Sequence, residues 1–526
     1  MFNHNSDVGS GVIISFDSSK QTPFFCYTVR GGEVRTRNES TVQQRTKVQN
    51  ENDNQSIMFD FLCCKMPCLV KSCAIRTVFI VGVVFLILWI VSLFTSDPAT
   101  VIVPPIADTA KRNAQKMPYF GEGSINQNND STTDDQIDRH SIVIVGGGAA
   151  GLFAGYTLKY LGIDDFVILE AHPSLYGGRV RQFLPSSNSG TGTVIDSDVP
   201  IDLGAEWIHC QPRILADLLL YDEDRQTISS SSSPSSPKTI VYQPQTYDTF
   251  SVSSGRRSSR DWFRFFYAEY KFYNTTWFGY LERFVYPYVV SHLQLDTAVW
   301  SIDYTDTSTV TLTTTRGSVL HADKVILAVP ITALQDGYSN KIEFLPELPS
   351  WKQTSIDKIQ IADGMKLWLE FDEAFYSDMV IRSSLFGYIN DDPMLYFNTV
   401  FRKPSTKHIL TQFLVGGPDS DRVRLTDEEA VQVALDDLDQ IYDGRASQLY
   451  TGRYLVQNWS KEEFIQGAYP INYNDFWDDM PNLQQSVDNR LYFAGSYMHE
   501  ETTTVHGAAL SGRRAVEKLL LDLDVD

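Results

Sequence analysis

The sequence predicts an α/β fold preceded by one transmembrane helix, and two stretches carry that prediction. Residues 141–181 read SIVIVGGGAAGLFAGYTLKYLGIDDFVILEAHPSLYGGRVR, an apolar run, a glycine cluster, a helical pattern and a second apolar run in that order. Residues 77–95 read TVFIVGVVFLILWIVSLFT and contain no charged side chain.

The first stretch holds a complete dinucleotide-binding unit. Residues 141–145 are apolar and β-branched, as a strand buried on both faces requires. Gly146, Gly148 and Gly151 then fit G-x-G-x-x-G: a tight turn, close backbone approach to a pyrophosphate, and close packing of the following helix. Residues 152–161 have helical periodicity, and the N-terminus of such a helix presents unpaired N–H groups to a diphosphate. A second strand at 166–169 ends on Glu170, whose carboxylate suits ribose hydroxyls.

The 526 residues suffice for two or three domains, and a hydrophobic fraction of 43% allows a large core. A formal charge of −21 argues against a nucleic-acid partner, which would want a basic face. Residues 1–76 are predicted to be a disordered cytosolic tail, poor in apolar residues over 41–56. At helical rise the 77–95 run is about 28 Å long, close to the ~30 Å hydrocarbon core. Lys65, Lys71 and Arg76 precede it and no Lys or Arg follows until Lys111, so the tail faces the cytosol and the larger part the lumen or exterior. Cys63, Cys64, Cys68 and Cys73 crowd the cytosolic flank, as S-palmitoylation sites, metal ligands without a histidine, or plain thiols. Residues 96–139, with Pro98, Pro104 and Pro105 and then a polar tract, read as a stalk. Asn129, Asn274 and Asn458 open N-x-S/T triplets.

Further blocks follow in order: Gly177-Gly178-Arg179, DLGAEWIH at 202–209, a strand at 322–330 ending on Pro330, and RLYFAG at 490–495 before TVHGA at 504–508. Together these resemble the flavin-dependent amine oxidase family, which includes monoamine oxidases, polyamine oxidases and lysine-specific histone demethylases. The resemblance covers about residues 140–526. It implies a Rossmann-like FAD-binding domain in three pieces, 140–207, 291–333 and 456–526, with a mixed α+β substrate domain inserted at 208–290 and 334–455.

By that resemblance Gly146, Gly148 and Gly151 face the diphosphate, and Glu170 holds the adenosine ribose. Gly178 and Arg179 lie near the flavin end, and Val299 meets adenine through its backbone. Ala205, Trp207, Trp459, Gly495, Ser496, Thr504 and Val505 belong to the cofactor's surroundings, the N–H of Val505 reaching the ring edge. Lys366, in IADGMKLWLEF, resembles the active-site lysine that holds a water against flavin N5. Tyr469 resembles an aromatic flanking the substrate amine, and His209 a residue lining the tunnel of polyamine oxidases.

Four departures qualify the transfer. Ala468 stands where monoamine oxidases carry the flavin-linking cysteine, so FAD is expected to be noncovalent. Thr504 replaces the second cage aromatic, and Ser496 replaces an acid that binds a ribityl hydroxyl. About ninety residues separate DLGAEWIH from LDTAV, fewer than is usual in polyamine oxidases. The expected reaction is hydride transfer from a neutral amine, a polyamine or secondary amine among the candidates, with O2 giving peroxide. An amino-acid oxidase or desaturase, and a non-catalytic membrane-tethered flavoprotein, stay open as alternatives. No Ser/His/Asp arrangement and no H-E-x-x-H or C-x-x-C metal motif occurs beyond the span.

Overall fold

A computed structural model describes residues 101–117, 138–185, 193–230, 236–259, 269–383, 394–416, 420–471 and 476–523. The predicted span at 77–95, the cytosolic tail with Cys63, Cys64, Cys68 and Cys73 on its flank, and Asn129 lie outside these residues. Among the described residues no helix is long and apolar enough to cross a membrane.

Strand Asp138–Val145 pairs in parallel with Phe166–Leu169 on one side and Val319–Leu327 on the other. Its continuous apolar run reflects burial on both faces. Ile142 and Ile144 pack with Phe166, Ile168 and Ile326, whereas Val143 and Val145 pack on the opposite face with Val167, Leu169, Val325 and Leu327. Val319–Leu327 is long enough to take two partners. Its first half pairs antiparallel with Val310–Thr314 and its last three residues pair in parallel with Leu491–Phe493. Leu293–Gln294, Val299–Asp303 and Glu343–Leu345 complete an eight-stranded mixed sheet among the described residues. Helices Ala149–Tyr160 and Val505–Asp522 cross on one face, so closely that a Cβ on Gly512 would sit 2.0 Å from Ala150 O.

The second sheet runs in the order Tyr450–Asn458, Gly364–Phe371, His408–Val415, Met394–Asn398, Met379–Ser383, Tyr247–Ser251 and Arg256–Ser259. Helix Asp427–Tyr442 starts in a capping box of Thr426 and Glu429. It lays Ala430, Ala434, Leu438 and Ile441 against Leu367 and Leu369 of this sheet. A smaller sheet joins Trp207–Ile208, Glu269–Phe272 and Thr239–Tyr242.

Two expectations change, and a doubt about Asn458 as a glycan acceptor gains a physical reason. Glu343–Leu345, assigned by sequence to the substrate part, pairs with Val299–Asp303 because Ile342 and Leu348 bury beneath that sheet. The expected stalk is not free along its length. Ile106, Ala110 and Ala114 lie on one face of the segment around helix Asp108–Ala114 and enter the core beside the C-terminal helix. Asn113 donates to Leu520 O at 2.7 Å, and Arg513 donates to Pro104 O at 2.5 Å. Finally, the Asn458 amide turns inward to donate to Val423 O at 2.7 Å, which does not suit a glycan acceptor.

Candidate active site

A cavity of about 640 Å³ runs from the carboxyl ends of the parallel strands to the second sheet. Glycines and helix starts build its first end. Gly146 turns with φ +107° directly after the first strand, and a Cβ there would lie 2.5 Å from Ala328 O. The hypothetical Cβ of Gly148 meets nothing nearer than Gly178 Cα at 4.0 Å, so it would fill cavity space instead of striking protein. Helix Ala149–Tyr160 begins there with no side-chain cap, leaving N–H donors at the wall. Gly151, expected at the diphosphate, is not part of the lining. Its Cβ would fall 1.9 Å from Gly146 O, so it is a packing glycine that seats the helix.

Glu170 ends the second strand, nearly buried. Its Oε2 accepts from Gly147 N and its Oε1 from His172 N, both at 2.8 Å. Burial pushes its carboxyl above the ordinary value, against the pull of those two donors. The carboxylate faces the cavity with unused lone pairs, as a ribose diol requires. Val299, Trp300 and Thr315 close this end.

Midway, Arg179 donates to Ala468 O at 2.7 Å and reaches Ser496 Oγ at 3.4 Å. Among the described residues no carboxylate forms an ion pair with it, and burial lowers its pKa. Gly178, Gly495 and Val505, the first residue of the C-terminal helix, line the same stretch. Thr504 lines it too, but its hydroxyl is already engaged. It accepts from Gly507 N at 2.9 Å and donates to Glu501 O at 2.7 Å, the N-cap of that helix. Gly204 is glycine for contact reasons: a Cβ would stand 1.8 Å from Arg179 O and 2.8 Å from Trp459 Cζ2.

The far end is built from charged side chains. Lys366 is central in strand Gly364–Phe371 and 2% exposed, not an edge charge. Its Nζ donates to Glu206 Oε2 at 2.9 Å, and Lys271 Nζ donates to Glu206 Oε1 at 2.9 Å. Burial disfavours the Glu206 carboxylate, but the ammonium groups of Lys271 and Lys366 outweigh it and bring its pKa down to about 2. Asp202, in the same stretch as Glu206, is raised to about 7 by burial and then by the charge of Glu206. Lys403 is lowered to about 8 by burial and then by Lys271. His209 lines the cavity with Nδ1 3.3 Å from Glu269 Oε1. Ala205, Trp207, Trp459 and Tyr469 also line it. The guanidinium of Arg181 sits 5.2 Å from the Trp459 ring and is held by Glu462 at 2.8 Å.

The sequence reading missed Glu206, Lys271, Asp202 and Lys403 as a group. Glu206 and Asp202 stand inside DLGAEWIH, but nothing in the chain order announces that Lys271 and Lys403 converge on them.

The donor set fits an extended dinucleotide: an open glycine cradle, two helix starts, a cavity-facing carboxylate and a half-buried guanidinium with no ion-pair partner among the described residues. A profile described as flavin containing amine oxidoreductase matches residues 290–520, and one described as NAD(P)-binding Rossmann-like domain matches residues 144–220. Polyamine oxidase 3 of Oryza sativa subsp. japonica is 31% identical over 216 residues, 40% of this chain and 42% of that protein. The chain therefore matches less than half the length of that relative. Polyamine oxidase 7 of the same organism is 25% identical over 462 residues, 71% of this chain and 93% of that protein. Cyclohexylamine oxidase from Brevibacterium oxydans IH-35A superposes with a TM-score of 0.56 at 15% identity, over 73% of this chain and 99% of its own, a likeness of fold. Two profiles follow one another along the described fold, and together with the relatives they support FAD as the cofactor: residues 290–520 match the flavin containing amine oxidoreductase family, behind a Rossmann-like segment at 144–220.

Proposed function

We propose that this protein is an FAD-dependent amine oxidase acting on a polyamine or secondary amine. The observation that carries the reading is the continuity of one cavity from the glycine cradle to the buried Lys366, so cofactor and lysine share a wall. Bound FAD would supply the two-electron redox chemistry that oxidation of an amine by O2 to an imine and peroxide requires. The chain's residues do the rest. Gly148, Glu170 and Arg179 bind and orient the cofactor. Trp459, Phe413 and Tyr469 supply apolar surface that excludes water around the reacting carbon. Lys366 places a proton-bearing ammonium in the wall, and His209 stands beside Glu269 where a second cationic group of a long amine can be met.

The amine reading is preferred to an amino-acid oxidase because a substrate carboxylate needs an available guanidinium. Arg179 is already directed at Ala468 O and Ser496 Oγ, and Arg181 at Glu462. Noncovalent FAD is supported by Ala468, which offers no thiol, and by the absence of cysteine from the cavity lining among the described residues. We also propose that 77–95 anchors the protein with the catalytic part outside the cytosol, supported by its charge-free sequence and the preceding Lys65, Lys71 and Arg76.

The test is anaerobic titration of the purified yellow protein. Spermine or spermidine should bleach the flavin, and readmitted air should restore the colour with formation of peroxide. Lys366→Met should slow either half-reaction at least about tenfold while FAD stays bound. Bleaching by amino acids alone would replace the reading with its rival.

A further inference from the structure

Lys366 does not stand alone in the cavity wall. Its ammonium is held by Glu206, and the other oxygen of that carboxylate is taken by a second buried lysine. Lys271 is 0% exposed and Glu206 5% exposed, so neither charge is relieved by water. Lys271 also donates to Thr399 O at 3.3 Å and sits 5.4 Å from the Trp207 ring and 5.1 Å from the Tyr242 ring. That aromatic enclosure prevents it from leaving. The charged groups facing Glu206 come from four segments: Lys271 on Glu269–Phe272, Lys366 on Gly364–Phe371, Lys403 after Met394–Asn398, and Asp202 on Ile201–Asp202.

We propose that Glu206 is the positioning residue for Lys366: it holds the lysine as an ammonium in the cavity wall, while Lys271 keeps the shared carboxylate ionised. The inference deepens the oxidase reading and rests on it. Each oxygen of Glu206 serves a different lysine, so Lys366 cannot swing into the cavity without stranding a buried oxygen and its own charge. Two ammonium groups on one carboxylate also leave a net positive charge beside the cofactor's cavity. A molecule in the cavity therefore meets a lysine whose Nζ is fixed in the wall by Glu206.

The test is a pH titration of the visible flavin spectrum of the full-length, detergent-solubilised holoprotein without substrate. The wild type should show no Lys366-linked transition between about pH 6 and 9.5. Glu206→Gln removes the counter-charge. Its flavin bands should acquire a transition at least about one unit below the ordinary lysine value of ~10.4, and the transition should vanish in Glu206→Gln/Lys366→Met. Glu206→Asp, which keeps the charge, should restore the flat profile. Should Glu206→Gln fail to fold with Lys271 stranded, Glu206→Gln/Lys271→Met removes one charge of each sign and must show the same transition. A Glu206→Gln spectrum as flat as the wild type's, or a transition that survives loss of Lys366, overturns the proposal. A colourless protein overturns the oxidase reading and this inference together. A yellow protein that no amine bleaches overturns only the activity, and the titration still decides Glu206.

Discussion

The two ends of the cavity are made of different material. At the dinucleotide end the determinants are backbone: turns, helix starts and glycines whose missing Cβ atoms let one segment pass another. Gly146, Gly148, Gly151 and Glu170 lie within one continuous stretch of chain, and each acts on its near neighbours. At the far end the determinants are side chains. Asp202 and Glu206, from one stretch, meet Lys271, Lys366 and Lys403, each from a segment far away in sequence, only because the sheets converge. Errors of shape therefore damage the first end, and errors of charge the second. Burial of a lysine does not by itself distinguish a site. Lys352 is as buried as Lys271, but its Nζ donates to the carbonyls of Asn482, Leu483 and Gln485 at 2.9, 2.8 and 2.7 Å, anchoring the end of helix Phe476–Gln484. Backbone carbonyls make it structural; Lys366 differs by facing a carboxylate and the cavity.

The sharpest way to break the contrast is a shape change with no charge. Gly151→Val would place atoms inside Gly146 O, a contact that cannot be relieved without moving helix Ala149–Tyr160 off its strand. The expected outcome is protein without FAD or no soluble protein, read by the flavin-to-protein absorbance ratio. A variant retaining full flavin would show that the seating of helix Ala149–Tyr160 on its strand is not needed to bind it. A smaller loss is expected from Glu170→Ala, which removes the cavity-facing carboxylate and leaves Gly147 N and His172 N without their acceptor. At about 1–3 kcal/mol for such a loss, the FAD dissociation constant should rise about 5- to 150-fold, measured by fluorescence of released flavin. Unchanged affinity would remove Glu170 from the cofactor site.

The same contrast explains what the sequence disclosed. Strand, turn, helix and second strand at 141–170 are local, and their residue types follow from periodicity and φ. Lys366 was readable only through resemblance, because LWLEF shows the strand and not the carboxylate opposite it. Glu206 stood in view beside Trp207, but its meaning depends on Lys271, in a tyrosine- and phenylalanine-rich strand that reads as ordinary core. Thr504 reads as a replaced aromatic, yet its N-cap bonds give it a second duty that the chain pattern did not separate from the first. The docking of 104–117 was hidden because prolines and a short helix suggest a linker until the groove beside the C-terminal helix is seen.

The smallest expected effect lies at the charged end and depends on pH. Asp202 accepts from Trp277 N at 2.8 Å, and its pKa is raised from 3.8 to about 7. The native protein thus keeps a proton that the unfolded chain gives up near pH 4. Between about pH 4 and 7 the native state binds more protons, so this group's contribution to stability is full at low pH and is lost as pH rises through 7. Lys403, lowered to about 8, has the opposite slope, its stability contribution rising with pH between about 8 and 10.5. Glu206, near 2, is charged throughout and does not titrate in either window. Asp202→Asn keeps the acceptor for Trp277 N and abolishes the first slope alone. The variant's melting temperature should therefore gain on the wild type by a few degrees between pH 5 and 8, on the order of 1–3 kcal/mol. The gain should level off above the point where the wild-type carboxyl has ionised. A difference between the two proteins that stays constant from pH 4 to 8 would mean that Asp202 carries no buried proton, and that the positive charge of the lysines reaches further along the wall than Glu206.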